Sequence, residues 1–155
     1  MKVLLATDGS VFSKEMVKEF AGRTFAPNTK VHIISIYEMP GYIMNLAPMG
    51  ALDDYNIVTD KYLLKSAQDA VEDAAKTIRA KNNSLSVSTA AIQGSAKHII
   101  LEEAETFEAD LIVVGSHGYG AVDRFLLGSV SQSVALHAKC SVEIVRKAPK
   151  RHHSK

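Results

Sequence analysis

Five short segments of the chain carry the residue patterns of β-strands. Residues 2–7 form a near-continuous apolar run, 31–37 are rich in β-branched residues, and 110–114 indicate a fully buried strand. Residues 85–90 instead alternate apolar with small polar residues, which is typical of a half-exposed edge strand. Residues 142–145 complete the predicted set of five.

Between these segments the apolar residues recur at helical spacing. The first predicted helix follows the polar segment Asp8-Gly9-Ser10, which offers its caps, and ends at Pro27-Asn28. The other predicted helices cover about 59–81, 94–107 and 129–139. Short strands that alternate with helices predict an α/β fold, with a parallel sheet covered on both faces. Right-handed crossovers leave few topologies for such a chain.

The interval 39–58 fits neither pattern. It contains methionines, prolines and glycines with few charges, and it is predicted to be a long loop. Its apolar content indicates that the loop packs on something. The sequence is equally compatible with packing on a ligand, on a partner subunit or on the domain itself.

Composition narrows the class of protein. The chain has 155 residues and a formal net charge of +1, so one domain is expected, with no charge field for nucleic acid. Residues 1–147 are assigned to that domain, and the basic segment 148–155 to a flexible tail. The single Cys140 excludes an intrachain disulfide, and no signal peptide or membrane span is visible. A cytoplasmic protein without membrane contact is expected.

The most informative segment is rich in glycine and lies between a buried strand and a helix. Gly115 and Gly118 follow the fourth strand, and Gly128 and Ser129 stand where the fourth helix begins. Backbone N–H groups at a helix N-terminus suit phosphate, and glycine permits close approach of a ligand. Glycines after strands are also routine in α/β folds, and Ser129 also fits a simple helix cap. The segment lacks the lysine of a Walker A loop and the position of a dinucleotide fingerprint.

These residues carry a family resemblance. The spacing Gly-x2-Gly-x9-Gly-Ser, formed by Gly115, Gly118, Gly128 and Ser129, resembles the nucleotide-binding motif of ATP-binding universal stress proteins. The opening Leu-Leu-Ala-Thr-Asp-Gly-Ser and the closing Cys-Ser-Val-Glu-Ile-Val are similar to that family as well. The resemblance covers residues 2–147 in three segments that occur in the right order.

The resemblance implies a Rossmann-like sheet of order 3-2-1-4-5 and a nucleotide site at its switch point. Asp8 would contact the nucleoside, Ile36 would offer backbone groups to adenine, and Gly115 would lie near the ribose. Phosphates would be held by Gly118, Gly128 and Ser129. The full predicted nucleotide-binding set is Ala6, Thr7, Asp8, Ile36, Gly115, Ser116, His117, Gly118, Gly128, Ser129 and Val130.

The same resemblance implies the ligands. ATP is expected, AMP or ADP fit the same base and ribose contacts, and Mg²⁺ or Mn²⁺ would accompany the phosphates. Asp8 is the acidic residue placed near the phosphates, so no metal site built from protein alone is predicted. His117 fits either a phosphate contact or a solvent-facing loop position.

Three functions remain in competition. The favoured one is a stress-response regulatory or adaptor protein whose conformation or partner binding depends on ATP. A slow ATPase or phosphotransferase is the second, although no catalytic residue is assigned. A nucleotide-free dimeric adaptor is the third. A homodimer through the fifth strand, from about Ser141 to Arg146, is expected by resemblance, and the open sheet edge gives it a physical reason.

Overall fold

Five strands alternate with four helices in the part of the chain that the structure covers. The computed structural model describes residues 1–39, 52–116 and 127–146, with the backbone alone for 52–57. In chain order the elements are β1 (Lys2–Ala6), α1 (Val11–Ala21), β2 (Lys30–Tyr37), α2 (Leu52–Lys81), β3 (Ser86–Gln93), α3 (Ala96–Thr106), β4 (Leu111–Gly115), α4 (Ser129–His137) and β5 (Ser141–Val145).

The strands form one parallel sheet in the order β3-β2-β1-β4-β5. The predicted α/β class and strand order are therefore confirmed. Leu5 in β1 is level with Ile33 of β2 on one side and Val113 of β4 on the other. All five strands therefore end at one border of the sheet, called here the carboxyl edge, with β1 at the centre.

Each face of the sheet has its own apolar core. The face covered by α1 and α2 buries Val3 and Leu5 of β1 against Phe20 and Ile78. The opposite face, covered by α3 and α4, buries Leu4 of β1 and a second set of side chains from β2, β4 and both helices. Because successive β1 side chains point to opposite faces, the buried run at 3–5 supplies both cores.

The start of α2 corrects the sequence prediction. The interval 39–58 was expected to be a loop, yet the helix already begins at Leu52. Pro48 and Gly50 have low helix propensity, but the residues that follow Gly50 do not. The acidic pair Asp53 and Asp54 suits the positive end of a new helix. The remainder of the expected loop, 40–51, lies outside the described residues, as does the expected tail 148–155.

Smaller boundary differences follow local chemistry. The first helix begins at Val11, directly after the predicted caps, and Ser10 caps it by accepting a hydrogen bond from the Ser13 N–H. The fourth helix ends at His137, since Ala138 is already extended. The third strand continues to Gln93, and it lies at a border of the sheet with mostly exposed or half-buried residues, as expected of an edge strand. In the described ranges, no helix combines the length and apolarity needed to cross a bilayer.

Candidate functional site

The end of β1 is a tight, buried turn at the carboxyl edge. Ala6 is the last strand residue, and the Thr7 N–H donates to the Ile34 carbonyl of β2 at 2.9 Å. Thr7 is 6% exposed, and its hydroxyl accepts from the Gly9 N–H. Gly9 has φ of 74°, a backbone conformation that favours glycine, so the chain turns there into α1.

Two serines at the start of α1, the N-cap Ser10 and the helical Ser13, hold the Asp8 carboxylate. The Ser13 hydroxyl donates to Asp8 Oδ1 at 2.6 Å, and the Ser10 N–H donates to the same oxygen at 3.0 Å. The bonds that the structure gives to Asp8 thus concentrate on Oδ1. The carboxylate is half-buried and fixed in orientation before any ligand arrives.

Ile36 lies near the end of β2, and its side chain packs against the α3–α4 core. The side chain of Ile36 is half-buried there. The adjacent chain is anchored, because the Gly94 N–H after β3 donates to the Tyr37 carbonyl at 3.0 Å.

The end of β4 and the start of α4 meet at the same edge. Gly115 ends the strand, and the N–H of the buried Ser116 donates to the Val145 carbonyl of β5 at 2.9 Å. The Gly128 N–H then donates to the Ser116 carbonyl at 2.8 Å. The end of β4 and the start of α4 are therefore joined directly through Ser116 and Gly128.

The helix cap differs from the prediction. Gly128, not Ser129, is the N-cap of α4, and no side chain caps the helix. Gly128 has φ of −60° and ψ of 148°, which other residues adopt as readily. Ser129 is the exposed first helical residue, and Val130 turns its side chain toward the α3–α4 core. The first intrahelical bond runs from the Gln132 N–H to the Gly128 carbonyl, so the preceding N–H groups have no acceptor within the helix.

A buried serine joins α4 to the strand. Ser131 is 3% exposed, and its hydroxyl donates to the Gly115 carbonyl at 2.6 Å. The helix N-terminus is thereby fixed directly beside the end of β4. Neither α1 nor α4 has an acidic residue in its first turn. The start of α1 already holds the Asp8 carboxylate, whereas the start of α4 presents the positive end of its helix dipole at the carboxyl edge.

The two helix starts flank a crevice at the switch point of the sheet. The chain leaves β1 toward α1 on one face, and it leaves β4 toward α4 on the other. Adjacent strands lie about 4.8 Å apart, so Asp8 and the start of α4 border the same space. In open α/β sheets such a crevice is where ligands bind.

Of the predicted site residues, most lie at this crevice and two lie outside the described residues. The structure brings Ala6, Thr7, Asp8, Ile36, Gly115, Ser116, Gly128, Ser129 and Val130 to the carboxyl edge. His117 and Gly118 are in the segment that is not described. Sequence reasoning missed Ser13 and Ser131, each the third residue of its helix. Neither hydroxyl bonds the N–H of its own N-cap residue as in a capping box, so the position in the sequence does not reveal the partner.

The described part of the chain contains no group of three His, Cys, Asp or Glu side chains placed to hold a metal ion. Among the described residues, the Asp8 carboxylate lies at the carboxyl edge, directly after β1.

The chain matches a known protein family over nearly its whole length. The model of the universal stress protein family matches residues 1–146. The chain belongs to the universal stress protein family. A universal stress protein of Methanocaldococcus jannaschii is 29% identical over 152 residues, which are 96% of this chain and 84% of that protein. A putative universal stress protein of Staphylococcus aureus is 30% identical over 147 residues, covering 93% and 82% of the two chains.

Solved structures share the fold. The structure described as hypothetical protein MJ0577 superposes with a TM-score of 0.79 at 21% identity, over 96% of this chain and 97% of that one. A universal stress protein in complex with cAMP gives 0.63 at 26% identity, over 94% and 96%. An Arabidopsis thaliana family protein with AMP bound gives 0.57 at 18% identity, over 99% and 97%.

Proposed function

We propose that this universal stress protein binds ATP at the carboxyl edge and acts as a stress-response regulatory or adaptor protein. The observation that carries the proposal is the α4 N-terminus fixed by hydrogen bonds at the end of β4, the strand that neighbours β1 in the sheet. A positive helix end beside a fixed carboxylate offers one group for phosphate and another for a nucleoside hydroxyl. The cAMP and AMP complexes of related proteins support an adenine nucleotide as the ligand.

Each part of the nucleotide has a partner in this proposal. The phosphates lie at the N–H groups of Ser129 and Val130, and the Ser129 hydroxyl is exposed to join them. Asp8, held through Oδ1 by Ser13, turns its other oxygen to the nucleoside. The adenine lies against the end of β2, where Ile36 offers its backbone groups while its side chain packs on the α3–α4 core.

A divalent ion fits this arrangement as a companion of the phosphates. Mg²⁺ prefers oxygen ligands and commonly keeps several waters, so phosphate oxygens with one carboxylate suffice to hold it. Asp8 is the residue that would contribute. The ion would neutralise phosphate charge and align the phosphate chain with the start of α4.

The role is regulatory in this proposal, because the groups named above bind and orient the nucleotide. Phosphoryl transfer also needs a group that positions the attacking water and a charge that stabilises the transition state. The residues assigned to the site do not supply this pair of groups. Phosphate release during incubation with ATP and Mg²⁺ distinguishes a regulator from a slow ATPase.

The test is the nucleotide content and affinity of the purified protein. Wild-type protein is denatured and any released nucleotide is identified by chromatography. ATP, AMP and cAMP are then titrated into nucleotide-free protein by calorimetry. Gly128→Val is expected to weaken ATP binding by at least about tenfold, because its side chain occupies the space beside the helix N-terminus. The backbone at Gly128 accepts valine without strain, so the variant is expected to fold.

Gly22→Val is the matched control. Gly22 follows α1 at the opposite border of the sheet and has φ of −80°. The same substitution there should leave ATP affinity unchanged. No released nucleotide, together with no heat of binding for any of the three compounds, would favour the nucleotide-free adaptor instead.

A further inference from the structure

Three hydrogen bonds join the end of β4 to β5 and to the start of α4. The Ser116 N–H donates to Val145, the Gly128 N–H donates to Ser116, and the Ser131 hydroxyl donates to Gly115. The first two are bonds between backbone groups and survive most substitutions. The third is made by a side chain, so it is the one that a substitution can remove.

The Ser131 bond is unusual for a serine within a helix. Such hydroxyls commonly bond a carbonyl three or four residues earlier in their own helix. Ser131 instead reaches a carbonyl 16 residues earlier, at the last residue of β4. At 2.6 Å and 3% exposure, the bond is short and shielded from water. Together with the backbone bond from Gly128 to Ser116, it holds the first turn of α4 beside the end of β4.

We infer that Ser131 is a positioning residue for the phosphate groups of the bound nucleotide. Its hydroxyl is committed to Gly115 and does not contact the ligand. It acts by holding the N–H groups of the first turn of α4 at the distance from β4 that a phosphate requires. This inference rests on the proposed function, and it names phosphorylated nucleotides, rather than nucleosides, as the ligands whose affinity depends on Ser131.

The test compares two ligands in one variant. Ser131→Ala is expected to weaken ATP binding by about tenfold and to leave adenosine affinity within about twofold of the wild type, as measured by calorimetry. Adenosine lacks the phosphates but keeps the contacts at Asp8 and the end of β2. Ser131→Thr, which keeps the hydroxyl, should restore ATP affinity to within about threefold of the wild type.

Thr29 supplies a matched control. It is 0% exposed, and its hydroxyl donates to the Ala26 carbonyl at 2.7 Å, at the opposite border of the sheet. Thr29→Val removes a buried hydroxyl with little change of shape. It should lower the melting temperature as Ser131→Ala does, yet leave both nucleotide affinities unchanged. A purely structural role of Ser131 would make the two variants behave alike.

The outcomes separate this inference from the proposed function. Wild-type protein that binds ATP while Ser131→Ala binds it equally well, or loses ATP and adenosine in the same proportion, overturns the role of Ser131 alone. Wild-type protein that binds neither compound overturns the proposed function and this inference with it. Should the alanine variant fail to fold, Ser131→Cys keeps the volume and weakens the donor, so the same comparison is made with cysteine.

Discussion

Cys140 shows how burial controls the chemistry of one side chain. The thiol is half-buried just before β5, beside a cavity of about 170 Å³ that Leu101, Ala104 and Ile112 help to line. Burial raises the pKa of the Cys140 thiol, and the negative charge of Asp110 raises it further. At a given pH the folded protein therefore holds less thiolate than a free cysteine does.

We expect iodoacetamide to react with Cys140 more slowly than with free cysteine at pH 8, because the thiolate is the reacting species. The rate should rise with pH through a midpoint above that of free cysteine, and unfolding in urea should remove the difference. Asp110→Asn should lower the midpoint less than unfolding does, since burial is the larger cause. A midpoint at or below that of free cysteine contradicts the expectation. The measurement is the alkylation rate followed by mass spectrometry.

At the same scale, single residues mark the limit of prediction from sequence. Asp8 and Gly115 were placed at the carboxyl edge because each directly follows a strand, and strand ends are visible in an apolar run. Ser13 and Ser131 were missed because their roles depend on carbonyl and carboxylate groups that come near only after folding. The assignment of a cap to Ser129 was wrong by one residue, a distance over which composition gives no guidance.

Among the elements, α2 begins before the apolar pattern from which it was predicted. Its 30 residues extend for about 45 Å, whereas the eight residues of β2 extend for about 27 Å. Among the described side chains of the helix, full burial begins at Ala67, while Val58 and Tyr62 are 66% and 72% exposed. From Ala67 onward the buried residues recur at helical spacing, which is the pattern that predicts a helix. The sequence predicted α2 from about Thr59, seven residues after its start at Leu52.

Elements are also joined by charge. Arg23, just after α1, places its guanidinium within 2.6 Å of one Glu143 carboxylate oxygen and donates to the other at 2.8 Å. It also contacts Glu19 at 3.0 Å. The hydrogen bond to Glu143 is the main cause that raises the pKa of Arg23 above its usual range. The pair ties the end of α1 to the edge strand β5.

We expect Glu143→Gln to lower the free energy of unfolding by about 1 kcal/mol, the upper range for a partly exposed ion pair. Both side chains of the pair are 33% exposed, so the loss should shrink in 1 M NaCl. The measurement is urea denaturation at low and high salt. Glu105→Gln breaks the pair with Lys139, whose side chains are 55% and 75% exposed, and should cost no more than about 0.3 kcal/mol. Equal losses for the two variants would argue against a special role for Arg23.

For the whole molecule, strand–helix alternation was sufficient to predict a parallel sheet but not the order of its strands. That order came from resemblance to a family, and the structure confirms it. The alternation indicates only that a helix separates each strand from the next. The direction in which each crossover runs depends on packing between residues far apart in the chain. The position of the crevice between β1 and β4 follows only from this strand order.

The two borders of the sheet differ in what they offer another molecule. On β3 the exposed side chains are polar, and they include Ser86, Ser88 and Gln93. On β5 the central residues Val142 to Val145 are half-buried and mostly apolar. An apolar edge strand is the one that gains more from pairing with a second copy. We therefore propose a homodimer that pairs β5 with β5 of the partner.

The backbone geometry of β5 shows which residues would make that pairing. The Val145 carbonyl accepts from Ser116, so Val145 directs its backbone groups toward β4. Backbone groups of successive strand residues point to opposite sides, and Val142 and Ile144 therefore direct their N–H and C=O groups outward. A second strand would bond to these two residues. Glu143 faces Arg23 of its own chain, which leaves it a role within the protomer.

We expect wild-type protein to be a dimer at micromolar concentration and Ile144→Pro to be a monomer, because proline removes an outward N–H without touching the ladder to β4. Ile144→Ala is the control, since it loses similar side-chain packing but keeps the N–H, and it should remain a dimer. Sedimentation equilibrium measures the mass of each, and circular dichroism checks that each is folded. A monomeric wild type would refute the dimer itself. A proline variant that stays dimeric would place the interface elsewhere, with β3 as the next strand to test.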